Sequence, residues 1–311
     1  MKKSRQSYNI NELISFFFIG ILYLISLLPL SVLYLFSSFM YFIWYHVIKY
    51  RRSVIRQNLK NAFPHKTEEE RRVIERKYYR HLSHLMAENV KLATISREEL
   101  KRRVRYEPES VAFLNELHRQ GRSIMIVMAH TGNWEWAGAA FPLYQDHQVI
   151  TAYRPLRNKA FDWFMLKIRS RTGNIITPMK VLPREMLKLR KTVTATALIG
   201  DQNPPINNAF WVYFLNQETP FYKGTEVLSR KFDYPVVWGN VKKAGRGYYD
   251  VVLELITDKP DSFEKEGILT ALHASYLERD ILEQPECWLW SHRRWKKSRP
   301  VGEPLIKAEK V

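Results

Sequence analysis

Ser123-Ile124-Met125-Ile126-Val127-Met128-Ala129 is a run of strand length, and it leads straight into His130-Thr131-Gly132-Asn133-Trp134-Glu135-Trp136-Ala137-Gly138. The first seven residues are apolar or small with no alternation, as in a strand buried on both faces. Gly132 permits a tight turn and Asn133 can cap a helix that follows. The stretch therefore reads strand, turn, helix. His130 lies in the turn and Glu135 in the first helical turn.

Further strand-length runs occur at Val149–Tyr153, Asn174–Thr177, Val193–Ile199, Pro235–Val241 and Tyr249–Ile256. Helical patterns lie between several of them, as at Ala160–Arg171 and Arg184–Lys191. Strands alternating with helices predict an α/β fold with a mostly parallel central sheet flanked by helices. The last two strands are close enough in sequence to pair antiparallel. Thr67-Glu68-Glu69-Glu70 is a capping box, predicting a helix from there to about Lys91. Three strands end in polar residues of catalytic type: His130, Arg154, and the Gly200-Asp201-Gln202 run. Ligands of open α/β sheets sit beyond the carboxyl ends of strands. If these strands are parallel neighbours, His130, Arg154 and Asp201 converge.

Leu13 to Ile48 contains no Asp, Glu, Lys or Arg over 36 positions. As helix that is about 54 Å, more than one straight crossing of a bilayer core of about 30 Å needs. Pro29 stands near the middle and is expected to break the run into two helices. The reading is one embedded helix near residues 13–28 and then one lying at the interface, with a hairpin as the alternative. Lys2, Lys3 and Arg5 before the run, and Lys49, Arg51 and Arg52 after it, favour the cytoplasmic side for both flanks. The run is too long for a signal peptide, and no small-residue cleavage site follows it. The expected division is an anchor over 1–50 and a catalytic domain over 51–311.

The single cysteine, Cys287, excludes an internal disulfide framework and leaves no Cys-based zinc site; no metal is expected. With 49 Lys and Arg against 31 Asp and Glu, the formal charge is +18. That excess calls for an anionic partner, which by charge alone is nucleic acid, anionic lipid, a phosphorylated substrate or an acidic protein. Arg51, Arg52, Arg56 and Lys60 form one cluster and Arg293, Arg294, Lys296 and Lys297 another. Trp288, Trp290 and Trp295 read as packing and His292 as structural. No nucleic-acid module is recognisable.

A histidine and an acid five apart also occur as structural pairs; the strand, glycine turn and helix start select the catalytic reading. A carboxylate on one ring nitrogen fixes the tautomer and frees the other nitrogen to take a proton. No serine or thiol nucleophile stands beside the pair. The base would then deprotonate an incoming hydroxyl directly.

His130-Thr131-Gly132-Asn133-Trp134-Glu135 resembles the His-x4-Asp/Glu signature of the late lipid A biosynthesis acyltransferases, a branch of the lysophospholipid acyltransferase group. Tyr153-Arg154-Pro155, Asp201-Gln202, Phe221-Tyr222-Lys223-Gly224-Thr225-Glu226 with Tyr234-Pro235-Val236, and Cys287-Trp288-Leu289-Trp290-Ser291-His292-Arg293-Arg294-Trp295 resemble later blocks of that family in the same order. The resemblance implies an inner-membrane enzyme with its catalytic domain on the cytoplasmic side. It needs no cofactor; acyl–acyl carrier protein or acyl-CoA is co-substrate, and the acceptor is a hydroxyl on a phosphorylated glycolipid. His130 would be the base and Glu135 its partner, with Arg154, Asp201, Gln202, Asn133 and Lys223 shaping the substrate site. The chain departs from the family pattern at Val212-Tyr213-Phe214-Leu215-Asn216, which lacks the expected glycine. A lysophospholipid or aminolipid acceptor is the near alternative, although no Glu-Gly-Thr-Arg block is present. A basic, membrane-tethered binding protein without catalysis is the alternative of another class, and steep salt dependence of binding would mark it.

Overall fold

The computed structural model of the chain describes residues 10–307. Lys2, Lys3 and Arg5, which the topology expectation invoked, lie outside them. The chain opens with α1 (Ile10–Ser26) and α2 (Leu30–Phe42), the latter continued by a π-helical stretch to Val47. Then come α3 (Arg52–Ala62), α4 (Glu68–Lys91) and α5 (Arg97–Arg103). The α/β part runs β1 (Val104–Tyr106), α6 (Pro108–Arg119), β2 (Ile124–Met128), α7 (Trp134–Ala140), β3 (Gln148–Tyr153), α8 (Lys159–Arg169), β4 (Ile175–Pro178), α9 (Leu182–Lys188) and β5 (Thr194–Ile199). It continues with β6 (Ala209–Phe214), β7 (Gln217–Tyr222), α10 (Gly224–Phe232), β8 (Val236–Gly245), β9 (Tyr248–Thr257), α11 (Ile268–Glu283) and β10 (Leu305–Ile306).

Seven of the described strands form one sheet in the order β1-β9-β8-β2-β5-β3-β4. All its pairings are parallel except the β8–β9 hairpin, where the two adjacent strands run antiparallel as expected. β2 lies near the centre and is buried throughout. Its alternate residues face opposite cores: Ile124, Ile126 and Met128 pack with Leu114, Leu117, Trp136 and Phe141 on one side. Met125, Val127 and Ala129 pack with Ile55, Leu59, Leu228, Leu269 and Leu277 on the other. A strand covered on both faces has no polar side to display, which is why its sequence does not alternate.

The capping box forms: the Glu70 N–H donates to Thr67 Oγ1, and the Thr67 N–H donates to Glu70 Oε2 at 2.6 Å. A second, three-stranded sheet of β10, β6 and β7 escaped the sequence reading. The β6–β7 hairpin turns through Leu215 and Asn216, both at positive φ (46° and 64°). Glycine normally fills such positions. Here the turn is held from outside, by Leu215 N–H on Glu278 Oε2 (2.7 Å) and Asn216 Nδ2 on the Ala62 carbonyl (3.1 Å).

The apolar run breaks at Pro29, which caps α2. Leu30–Val47 is the one helical run among the described residues long and apolar enough to cross a bilayer, and α1 is shorter. The helix expected to be embedded, near residues 13–28, corresponds to α1. Residues 10–50 pack onto the rest of the chain. α2 lies antiparallel along α4: Tyr34 bonds Glu88, Arg80 covers the Tyr41 ring and Tyr45 meets Tyr79. Leu33 and Tyr34 join the same core as the sheet. α1 rests on α8, with Phe16 against Trp163 and Asn158 Nδ2 donating to Ser15 Oγ at 2.7 Å. The outer faces of both helices stay bare: Phe17, Leu24, Phe36, Phe39 and Phe42 are exposed, and Leu35 is 73% exposed.

Candidate active site

β2 and β5 are parallel neighbours in a register that pairs Met128 with Ile199. Two residues further on, each chain leaves the sheet, one at His130 and the other at Asp201. The register therefore sets these two side by side at the carboxyl edge. Asp201 Oδ1 accepts from His130 Nδ1 at 2.6 Å, and Oδ2 accepts from the His130 backbone N–H at 3.0 Å. Trp288 Nε1 donates to the same Oδ2 at 2.8 Å. Asp201 is buried. Burial works against its ionisation, but the His130 charge and the hydrogen bonds from His130 and Trp288 outweigh it. They hold the carboxyl well below the usual range. Burial likewise opposes the imidazolium of His130. The Asp201 charge, its hydrogen bond and the more distant Glu135 overcome that, and the ring pKa is raised above 6.5.

The carboxylate on His130 is thus Asp201 and not Glu135, the partner expected from the spacing. Glu135 lies in the first turn of α7 and is claimed by Arg169 in a two-pronged ion pair, Arg169 Nε to Oε2 at 2.8 Å and Nη2 to Oε1. A guanidinium fork matches a carboxylate better than one imidazole N–H can. Glu135 keeps only a through-space influence on the ring, whose other near neighbour is Trp134, edge-on at 5.0 Å between ring centres.

The turn that carries His130 is tightly determined. Gly132 has φ +55°, and a Cβ there would lie 2.5 Å from the Val241 carbonyl oxygen. Its N–H donates to the Cys287 carbonyl at 3.1 Å, and Thr131 bridges to Trp288. The C-terminal block thereby braces the turn while Trp288 holds Asp201. Asn133 caps α7 by accepting from Trp136 N–H at 3.0 Å. It is buried, so the residue expected to help shape the substrate site is at the same time an internal part of the turn.

Gln202 does reach the site, its Nε2 lying 3.3 Å from His130 Nε2. Arg154 does not join His130 and Asp201. β3 runs on past its last pairing with β5, Thr151 with Ala197, and follows β4. Arg154 emerges exposed, without a protein partner among the described residues. Lys223 is placed at the small sheet, its Nζ 4.6 Å above the Phe210 ring. Arg294, expected in a surface cluster, is fully buried. It donates to the Pro220 carbonyl at 2.6 Å and covers the Phe221 ring.

The family model for bacterial lipid A biosynthesis acyltransferases matches residues 1–297. The chain belongs to that family. This acyltransferase is 27% identical over 308 residues to the lipid A biosynthesis palmitoleoyltransferase of Escherichia coli (strain K12), covering 98% of each chain. It is 24% identical over 288 residues to the lipid A biosynthesis lauroyltransferase of the same organism, covering 92% of each. A lipid A biosynthesis acyltransferase of Haemophilus influenzae is 25% identical over 253 residues, 80% of this chain and 78% of its own.

Sequence reasoning on the acyltransferase missed two members of the site. Trp288 was read as packing, yet a buried indole N–H needs an acceptor, and Asp201 supplies it. Arg169 gave no signal, because a basic residue in the last turn of a helix usually marks only a solvated end.

Proposed function

We propose that the enzyme moves a fatty acyl group from the thioester of acyl–acyl carrier protein to a hydroxyl of a phosphorylated lipid A precursor, with His130 as general base and Asp201 as its orienting carboxylate. The observation that carries this reading is the His130–Asp201 contact. Nδ1–H is committed to a carboxylate, so the lone pair on Nε2 faces outward toward Gln202. The acceptor O–H gives its proton to Nε2 as its oxygen attacks the thioester carbon. The tetrahedral oxyanion collapses, the C–S bond breaks, and the leaving sulfur takes the proton from Nε2. Gln202 occupies the acceptor's seat; swung aside, its amide is a donor for the oxyanion. A base placed in this way contributes about 10²–10⁴-fold.

The surroundings suit these partners. Arg51 donates to the Ser291 carbonyl at 2.9 Å, and Asn58 to the carbonyls of Trp290 and His292. These bonds merge the two basic clusters into one surface. Arg51, Arg56, Lys60, Arg293 and Lys296 are exposed there, and an acidic carrier protein complements them. The bare faces of α1 and α2 fit a bilayer at the cytoplasmic side of the inner membrane. Arg154, exposed at the end of β3, is our candidate for binding an acceptor phosphate.

A purified-enzyme assay with acyl–acyl carrier protein, acyl-CoA and candidate acceptors, read by mass spectrometry, tests the reading. One added acyl chain on a phosphorylated glucosamine lipid, from the carrier-protein donor, supports it. Transfer only to a lysophospholipid or an aminolipid, or only from acyl-CoA, overturns the acceptor or the donor assignment.

A further inference from the structure

Beneath the catalytic turn, away from His130, lies a carboxylate the mechanism does not use. Glu88, on α4, is wholly buried and has no cationic partner within ion-pair distance among the described residues. Three side chains from three other elements donate to it instead. Asn133 Nδ2 and Tyr249 Oη reach Oε2, each at 2.7 Å, and Tyr34 Oη reaches Oε1 at 2.8 Å. Its backbone carbonyl accepts from Trp136 Nε1 at 2.9 Å. About two turns earlier on α4, His81 Nε2 donates to the Gly132 carbonyl at 3.2 Å. α4 therefore grips the turn at Gly132, Asn133 and Trp136.

Burying a carboxyl without a counter-charge is costly, and an apolar residue there would serve packing alone better. Burial pushes the Glu88 carboxyl up, against the pull of its three hydrogen bonds. What the group supplies is direction. Asn133 must aim its Oδ1 at Trp136 N–H to cap α7, and Glu88 captures the other end of that amide. A fixed Asn133 fixes Gly132 and, through it, the position from which His130 meets Asp201.

We propose that Glu88 is a positioning residue for the transfer reaction, holding Asn133 and hence the His130 ring against Asp201, and that through Tyr34 it makes α2 part of the same assembly. The proposal deepens the general-base reading and rests on it only for its kinetic readout.

The test compares Glu88→Ala and Glu88→Gln in the full-length enzyme. Glutamine keeps one acceptor oxygen for Asn133 and Tyr249 and can donate to the Tyr34 hydroxyl. Two quantities are read: kcat and KM for acyl transfer, and the His130 titration midpoint by NMR of histidine-labelled protein. Glu88→Ala should lower kcat about 100-fold, the cost of a misplaced catalytic group, with KM little changed. It should also move the His130 midpoint down as the ring leaves Asp201. Glu88→Gln should restore most of both. A folded Glu88→Ala enzyme with unaltered kcat and His130 titration overturns the proposal, as does a Glu88→Gln enzyme no better than Glu88→Ala. If Glu88→Ala does not fold, Asn133→Ala carries the same two expectations from the other end of the bond. If the wild-type enzyme transfers no acyl group to a lipid A precursor, the functional reading fails, and the His130 titration alone decides the role of Glu88.

Discussion

Asp201 grips His130 twice, through the ring Nδ1–H at 2.6 Å and through the backbone N–H at 3.0 Å. One carboxylate thereby sets the ring's tautomer and also the place where the chain leaves the sheet. Glu135, which shares the turn with His130, is bound to Arg169 and does neither.

Asp201→Asn keeps the shape but offers the ring a neutral group. Transfer should fall by about 10²–10⁴-fold, the range expected when a general base loses its tautomer and support. Glu135→Gln should cost much less in single-turnover kinetics. A larger loss at Glu135 would return the partner role to that residue.

The pH dependence has a definite sign. Neutral His130 is the active form, and its pKa is raised above 6.5. Wild-type kcat/KM should therefore fall on acidification through a midpoint above 6.5. Removing the Asp201 charge takes away the main upward influence, so the acid limb of Asp201→Asn should lie at lower pH. Identical limbs in the two profiles would contradict the assignment.

The strand, the turn and the mostly parallel sheet were legible because a doubly buried strand has a distinctive composition and because glycine and asparagine have narrow uses at a turn. The pairing of His130 was not. Spacing along the chain reports which residues share a turn, whereas Asp201 reaches His130 across a strand register, 71 positions away. The small sheet was hidden because β6 and β7 turn without glycine. Arg294 reads as one more surface cation until Pro220 and Phe221 are seen around it.

Gly132→Ala places a Cβ 2.5 Å from the Val241 carbonyl oxygen at φ +55°. Left-handed strain alone costs about 1–3 kcal/mol, and the clash adds to it. The thermal midpoint should drop, with transfer lost in the fraction that stays folded. A variant as stable and active as wild type would show that this turn is not as tightly held as described.

Glu135→Ala leaves the half-buried Arg169 without its partner. The variant should melt earlier, and Glu135→Ala/Arg169→Ala should recover part of the loss, because much of the penalty belongs to the stranded charge. Thermal melts of the two variants beside wild type check this. A double variant less stable than the single would mean the pair contributes attraction beyond relief of that charge.

Phe36 and Phe39 lie on the bare face of α2 and contribute nothing to the buried core. Phe36→Asp/Phe39→Asp should release the protein from vesicles of anionic phospholipid in a flotation assay while its melting temperature holds. Full retention on the vesicles would assign membrane contact to another surface.

The account's centre is a proton passing from an acceptor hydroxyl to Nε2 of His130, and single-turnover acyl transfer by His130→Ala measures it most directly. With circular dichroism and melting unchanged, the variant should add no acyl chain to the lipid A precursor above the rate without enzyme. Transfer at the wild-type rate by that folded variant would contradict the account.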